Sequence, residues 1–233
     1  MKNNYLITIG IFLPVLLTSC RSDQTIPTVI QETTTRPVVT EVLSDIIDTC
    51  KFIPLETASD KSLVGHISKI LKYKDKFYIA TDNKRILVFN TDGSFSHRID
   101  RLGRGPQEYA DLADFDIADD RIIVLSHHKI VVYTLDGAHV SSTPFDFNGL
   151  NIKVVGDNYL LRSNKESFLR TIDIRSGKTG SLQVDMQQNM RLGRKNCFLP
   201  FDRGVLIQQG HSNTFSYYSA DAPTEISEIA LLP

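Results

Sequence analysis

The sequence predicts an all-β chain: a β-propeller whose blades are four-stranded antiparallel sheets. Three observations predict it. Asp-Gly turns at Asp92-Gly93 and Asp136-Gly137 stand 44 residues apart, each closing a β-rich run, Ile86–Phe89 and Ile130–Tyr133. A third run, Phe168–Ile174, ends at Ser176-Gly177, 40 residues on, and a fourth, Thr214–Tyr218, ends at Ala220-Asp221, another 44 on. Upstream of each lies a second landmark, at Asp75-Lys76, Asp120-Arg121, Asp157-Asn158 and Asp202-Arg203, and an apolar run follows it: Phe77–Ile79, Ile122–Leu125, Tyr159–Leu161 and Val205–Ile207. A period of roughly 40–45 residues holding four short strands marks propeller blades. A β-sandwich also turns about every 8–12 residues, but nothing in it keeps two landmarks in step through four units.

The elements follow in order. Met1 and Lys2 precede an apolar run, Tyr5–Leu17. As a helix it reaches only about 20 Å, short of the roughly 30 Å hydrocarbon core, so residues 1–19 read as a signal peptide. Leu17-Thr18-Ser19-Cys20 resembles the lipobox of bacterial lipoproteins, which makes Cys20 the expected lipidation site and the membrane a partner through an acyl (palmitate-type) anchor. Arg21, not Asp, follows Cys20, which by the same resemblance favours the outer membrane. Residues 20–43, with six Thr, two Pro and two Gln between Arg21 and Leu43, read as a flexible tether. The propeller is expected over 44–233: a closing strand at 49–56 with Pro54 at an edge or bulge, then blades at 63–100, 108–145, 150–185 and 195–231. Cys50 and Cys197 give no disulfide framework and read as free or buried thiols.

Several segments resemble the six-bladed β-propeller lipoproteins with NHL-like repeats of Gram-negative bacteria. They are Phe52-Ile-Pro-Leu-Glu-Thr57, Leu63-Val-Gly-His-Ile-Ser-Lys-Ile70 and Gly103-Arg-Gly-Pro-Gln-Glu-Tyr109 leading into Asp114-Phe-Asp-Ile117. The resemblance runs from about Ser44 onward, is sharpest over 52–57 and 103–117, and implies an architecture and a cell-envelope address without catalytic residues. Four blades against six leads to the expectation that these residues are part of a larger ring; a true four-bladed ring is the alternative.

Composition excludes some partners. With 26 Lys+Arg against 27 Asp+Glu there is no global field to draw in nucleic acid, and none is expected as a partner. His127-His128 is the only His pair, and adjacent strand residues face opposite ways, so a metal shared between them is not expected. Asp114, Asp116, Asp119 and Asp120 are dense, but they lack the Gly and distal Glu of a calcium loop. No nucleophile elbow, phosphate loop or zincin motif occurs, so no catalytic residue and no cofactor is expected.

Blade topology puts the connections between second and third strands on one face with the blade-to-blade connections. Lys84, Arg85, Arg101, Arg104, Lys129, Arg191, Arg194 and Lys195 fall on those connections, whereas the Asp-rich turns fall on the other face. These eight cations are the candidate ligand-binding residues, for an acidic glycan or an anionic peptide. The expected function is a non-catalytic envelope scaffold that binds a ligand or partner. The alternatives are a propeller enzyme, a polysaccharide or peptide lyase or hydrolase, and a structural accessory of an outer-membrane complex.

Overall fold

The computed structural model describes residues 49–163, 168–183, 197–208 and 214–230. The signal peptide, Cys20 and the tether lie outside the described residues, as do Arg191, Arg194 and Lys195. Residues from Lys51 onward form one unit, described below.

Among the described residues all regular structure is β, in sixteen strands arranged as four antiparallel four-stranded blades of a propeller. Blade one holds β1 (Ile67–Tyr73), β2 (Lys76–Thr81), β3 (Ile86–Asn90) and β4 (Phe95–Ile99). Blade two holds β5 (Asp114–Ala118), β6 (Arg121–Ser126), β7 (Lys129–Thr134) and β8 (His139–Pro144). Blade three holds β9 (Gly149–Val155), β10 (Asn158–Ser163), β11 (Phe168–Asp173) and β12 (Thr179–Gln183). Blade four holds β13 (Phe198–Phe201), β14 (Gly204–Gln208), β15 (Thr214–Ser219) and β16 (Ser227–Ala230). Each sheet is a meander in chain order.

The strand sequences follow their place in the blade. A middle strand has a blade-to-blade interface on each side, so it is apolar throughout: Ile122–Leu125 of β6 and Ile130–Tyr133 of β7 are buried without a break. The outer strand β8, His-Val-Ser-Ser-Thr-Pro, borders solvent and is correspondingly polar. The turns between first and second strands sit at Lys74-Asp75 and Asp119-Asp120, one residue earlier than the sequence landmarks, and Lys74, Asp119 and Asp120 all take positive φ. Two-residue hairpins demand that left-handed backbone, because it matches the strands' twist.

Three apolar clusters join consecutive blades. Tyr78, Ile86, Val88 and Ile99 pack on Phe115, Ile122, Val124 and Tyr133. Leu125, Ile130 and Ile123 pack on Ile152, Tyr159 and Leu161. Val155, Leu160, Leu169 and Leu182 pack on Val205, Ile207 and Tyr218. At about 1.5–3 kcal/mol per buried side chain, these interfaces are the main favourable term in holding the blades together. The outward face of blade one, Ile79, Leu87 and Phe89, is covered by Leu55 and Val64 from the segment before β1.

The expected strand at 49–56 does not form; the residues carry no sheet ladder. Pro54 has no N–H to give, and the segment crosses a turn instead of running beside a strand. Glu56 donates its backbone N–H to Gly93 O at 2.9 Å, and its carboxylate accepts the N–H of Phe95 at 2.9 Å. The end of β4 meets blade two in a parallel way. Ile53 Cγ2 and Ile99 Cγ1 each lie 3.2 Å from where a Cβ on Gly93 or Gly137, respectively, would stand, and the Arg101 guanidinium donates to Gly137 O at 3.3 Å. The segment before blade one thus lies on that blade as the tail of blade one lies on blade two.

Candidate functional site

Two regions compete for function: the loop face read from the sequence, and the channel between the first strands. The loop face is built around the connection 100–113. Its Tyr109 is fully buried and donates its hydroxyl to Lys84 O at 2.9 Å, while the Tyr133 hydroxyl donates to Gln107 O at 2.8 Å. Burial holds the Tyr109 phenol up to about 12, so it stays a neutral donor. Gly105 donates to Glu108 Oε2 at 2.9 Å, and a Cβ on Gly103 would meet that same oxygen at 1.9 Å. The two glycines of Gly103-Arg-Gly-Pro-Gln-Glu-Tyr109 therefore make room for a carboxylate of their own loop, and not for a ligand phosphate.

The structure brings Lys84, Arg85 and Lys129 onto this face and gives each a partner. Lys84 Nζ stands 3.3 Å from Asp111 Oδ1, and Arg85 Nε 3.0 Å from Asp100 Oδ2. Lys129 Nζ donates to the carbonyls of Gly105 and Glu108. Arg101 turns its guanidinium to Gly137, in a turn between third and fourth strands, and Arg104 is exposed. The Asp-rich turns of the other face have cations as well: Lys74 beside Asp120, Arg175 beside Asp157 and Arg203 beside Asp221. Both faces are thus charge-mixed among the described residues.

The remaining sequence candidates separate. His127 Nε2 lies 2.6 Å from Asp111 Oδ2 and its Nδ1 lies 3.2 Å from Gly149 O, whereas His128 is exposed. Asp119 and Asp120 form a turn, while Asp114 and Asp116 point inward from β5. Among the described residues no group of His, Cys, Asp and Glu is placed to hold a metal.

The channel was not legible in the sequence. The first strands β1, β5, β9 and β13 surround a cavity of about 190 Å³, lined by Lys69, Asp114, Asp116, Asn151, Lys153 and Cys197 among others. Both carboxylates are spent on the neighbouring blade. Asp114 accepts the backbone N–H of Ile152 at 3.0 Å, and Asp116 that of Val154 at 2.8 Å. These are the N–H groups that β9 would otherwise leave bare along its inner edge. Lys69 Nζ stands 2.8 Å from Asp114 Oδ1, and Lys153 Nζ 2.9 Å from Asp116 Oδ1. Burial pushes the Asp114 carboxyl up, against the pull of Lys69. Arg162, buried on β10, donates from Nε to Asn151 Oδ1 at 2.8 Å, and burial pushes the Cys197 thiol up to about 11. The alternating Asp114-Phe-Asp116 showed that two carboxylates share a strand face. What they face lies in the next blade, beyond the reach of local pattern.

A family model described as Domain of unknown function (DUF4934) matches residues 28–214. A search of curated proteins returns no match. Among solved structures, a Bacteroides fragilis protein described as exported superposes with a TM-score of 0.65 at 19% identity, over 77% of this chain and 54% of that one. The Neurospora crassa Pan2 WD40 domain superposes with a TM-score of 0.51 at 14% identity, over 71% of this chain and 50% of the other. The Myceliophthora thermophila Cps50 (Swd1) β-propeller domain gives 0.50 at 9%, over 73% and 56%. The chain spans about half the length of these structures, and at such identities the likeness is one of fold.

Proposed function

This chain belongs to that family of domains of unknown function, and from that premise we propose that it is a non-catalytic binding scaffold of the cell envelope, anchored by lipid at Cys20, that takes an anionic ligand on its loop face. The observation that carries the reading is convergence. The starts of all four first strands, the blade-to-blade connection 100–113 and the loops bearing Lys84, Arg85 and Lys129 belong to one end of the propeller. A rigid scaffold that gathers side chains from several blades at one mouth is the usual setting for recognition. The two channel carboxylates favour binding over catalysis, because each already accepts a backbone N–H of the neighbouring blade and faces a lysine. The likeness to an exported Bacteroides protein supports the envelope address.

The ligand class is an acidic glycan, with an anionic peptide as the other source of carboxylate. The test replaces Arg101, Arg104, Arg191 and Arg194 with Gln and screens both proteins on charged and neutral glycans. The native protein binds acidic glycans, more weakly as salt screens exposed charge beyond about 8 Å, and the variant loses that preference; equal binding by both at every salt concentration overturns the reading. For the anchor, Cys20→Ala loses acyl labelling and leaves the membrane fraction, and retention after a carbonate wash overturns it.

A second reading has its own observation. Leu199 and Phe201 on the outward side of β13 are about half exposed, beside Leu206 and Tyr217 of the same face. An apolar sheet face of this kind suits a protein partner, as an accessory of an envelope complex would need.

A further inference from the structure

We propose that the cavity between blades two and three, toward the turn end of the propeller, is a binding site for a small phenol-type ligand: one aromatic ring carrying a hydroxyl donor. The inference goes beyond the binding reading above, since it concerns the other end of the molecule and a neutral ligand.

The repeat carries it. Sheet register aligns blades one and two residue by residue. Tyr73 pairs with Lys76 as Ala118 pairs with Arg121, and Tyr78 with Val88 as Ile123 with Val132. Val88 in turn pairs with His97 as Val132 does with Ser141, and the same register shift follows Val88 and Val132. Three rings of blade one, those of Tyr73, Tyr78 and His97, therefore stand where blade two has Ala118, Ile123 and Ser141. In the first junction all three rings are used. Tyr78 is buried in the core shared with blade two. The Tyr73 hydroxyl donates to Asp120 Oδ1 at 3.2 Å, and His97 Nε2 lies 2.9 Å from Leu135 O.

The second junction keeps the frame without the filling. Ile174 follows the third strand of blade three as Leu135 follows that of blade two. Ala118, Ile123, Ser141 and Ile174 all line one cavity of about 310 Å³, to which Val132 and Val154 add apolar wall. A serine hydroxyl stands on its own Cβ and does not span the gap that the His97 imidazole bridges. Tyr159, 6% exposed, also lines the cavity, and its phenol, kept neutral by burial, can give or take a hydrogen bond. The missing groups thus define the occupant: a ring to cover the apolar wall, and a donor for a carbonyl in the place of Leu135 O. An apolar cavity of about 150 Å³ already holds benzene. The larger volume here admits a ring with its substituents, at the lower bound, roughly 300 Å³, of ordinary ligand pockets.

The test starts with the unaltered protein and 4-fluorophenol, followed by fluorine NMR. Binding is expected, with displacement by 4-methylphenol, which shifts the methyl resonances of Val140 and Ile174 in the cavity wall and leaves those of Leu199 in blade four unmoved. Toluene, nearly the same shape without the hydroxyl, is expected to bind at least fivefold more weakly. Ala118→Tyr together with Ser141→His gives blade two the side chains of blade one. That variant is expected to bind at least tenfold more weakly and to melt no lower than the unaltered protein, because it fills a cavity. Unmoved Val140 and Ile174 methyls, equal binding of toluene, or undiminished binding by the folded variant would each overturn the proposal. If the variant does not fold, the methyl shifts and the toluene comparison in the unaltered protein decide. N-acetyl-L-tyrosinamide carries the same ring on a peptide unit. Affinity for it at least tenfold above that for 4-methylphenol would assign the cavity to a protein partner's tyrosine and overturn the small-ligand reading.

Discussion

Tyr109 shows what a single side chain does in this fold. Its ring fills the interface of blades one and two, and its hydroxyl fixes a long connection to Lys84 O. Tyr109→Phe keeps the ring and leaves the carbonyl short of a donor, so urea unfolding should shift by about 1–2 kcal/mol toward instability. The pH window follows from the raised phenol. The folded value, about 12, lies above the unfolded value near 10, so the contribution is complete below pH about 10 and is lost as pH rises toward 12. The phenylalanine variant should therefore show a shallower alkaline decline. Glycines give a second comparison. Gly93 and Gly177 both have positive φ, at 92° and 69°, but a Cβ on Gly93 would lie 2.0 Å from Pro54 O while one on Gly177 meets nothing within 4 Å. Gly177→Ala should cost only the left-handed strain, about 1–2 kcal/mol, and Gly93→Ala distinctly more in the same denaturation series. The turns at both glycines were plain in the sequence. The crowding at one of them was not, because Pro54 lies 39 residues away.

At the scale of a strand, β5 and β9 explain why the blade pattern was readable and the channel was not. Apolar runs and turn residues are local, so the period of the chain exposes them. The inner edge of β9 is a row of backbone N–H groups that look identical in any strand, and only the tertiary arrangement shows Asp114 and Asp116 answering them. Their density first suggests a cation, and their real partners are main-chain donors and two lysines. Asp116→Ala should therefore cost about 1–3 kcal/mol, since it strands the N–H of Val154 and leaves Lys153 without its anion. Asp116→Asn keeps an acceptor and should cost less. Hydrogen exchange at Val154, faster in the alanine variant than in the asparagine one, checks the assignment. The basic loop residues illustrate the same limit. Topology put Lys84, Arg85 and Lys129 on one end from sequence alone, but Asp100, Asp111 and the carbonyls of Gly105 and Glu108 that hold them come from other segments.

At the scale of the molecule, the three interfaces between blades are filled and the outward face of blade four is not: Leu199 and Phe201 are 47% and 51% exposed. Replacing both with Thr should raise the concentration at which self-association appears in sedimentation velocity and leave the thermal transition little changed; equal association by both proteins would show the face to be inert. At the other end, Glu56 N–H to Gly93 O and the Ile53 methyl over Gly93 form a small clasp on a turn. Tension applied from the N-terminal side reaches this clasp before any ladder of blade one. Two hydrogen bonds, the second from Phe95 N–H to the Glu56 carboxylate, and one methyl contact yield far sooner than a four-stranded sheet, so the clasp acts as a mechanical fuse: it lets out a short length of chain and uncovers Ile79, Leu87 and Phe89 while the sheet of blade one stays intact.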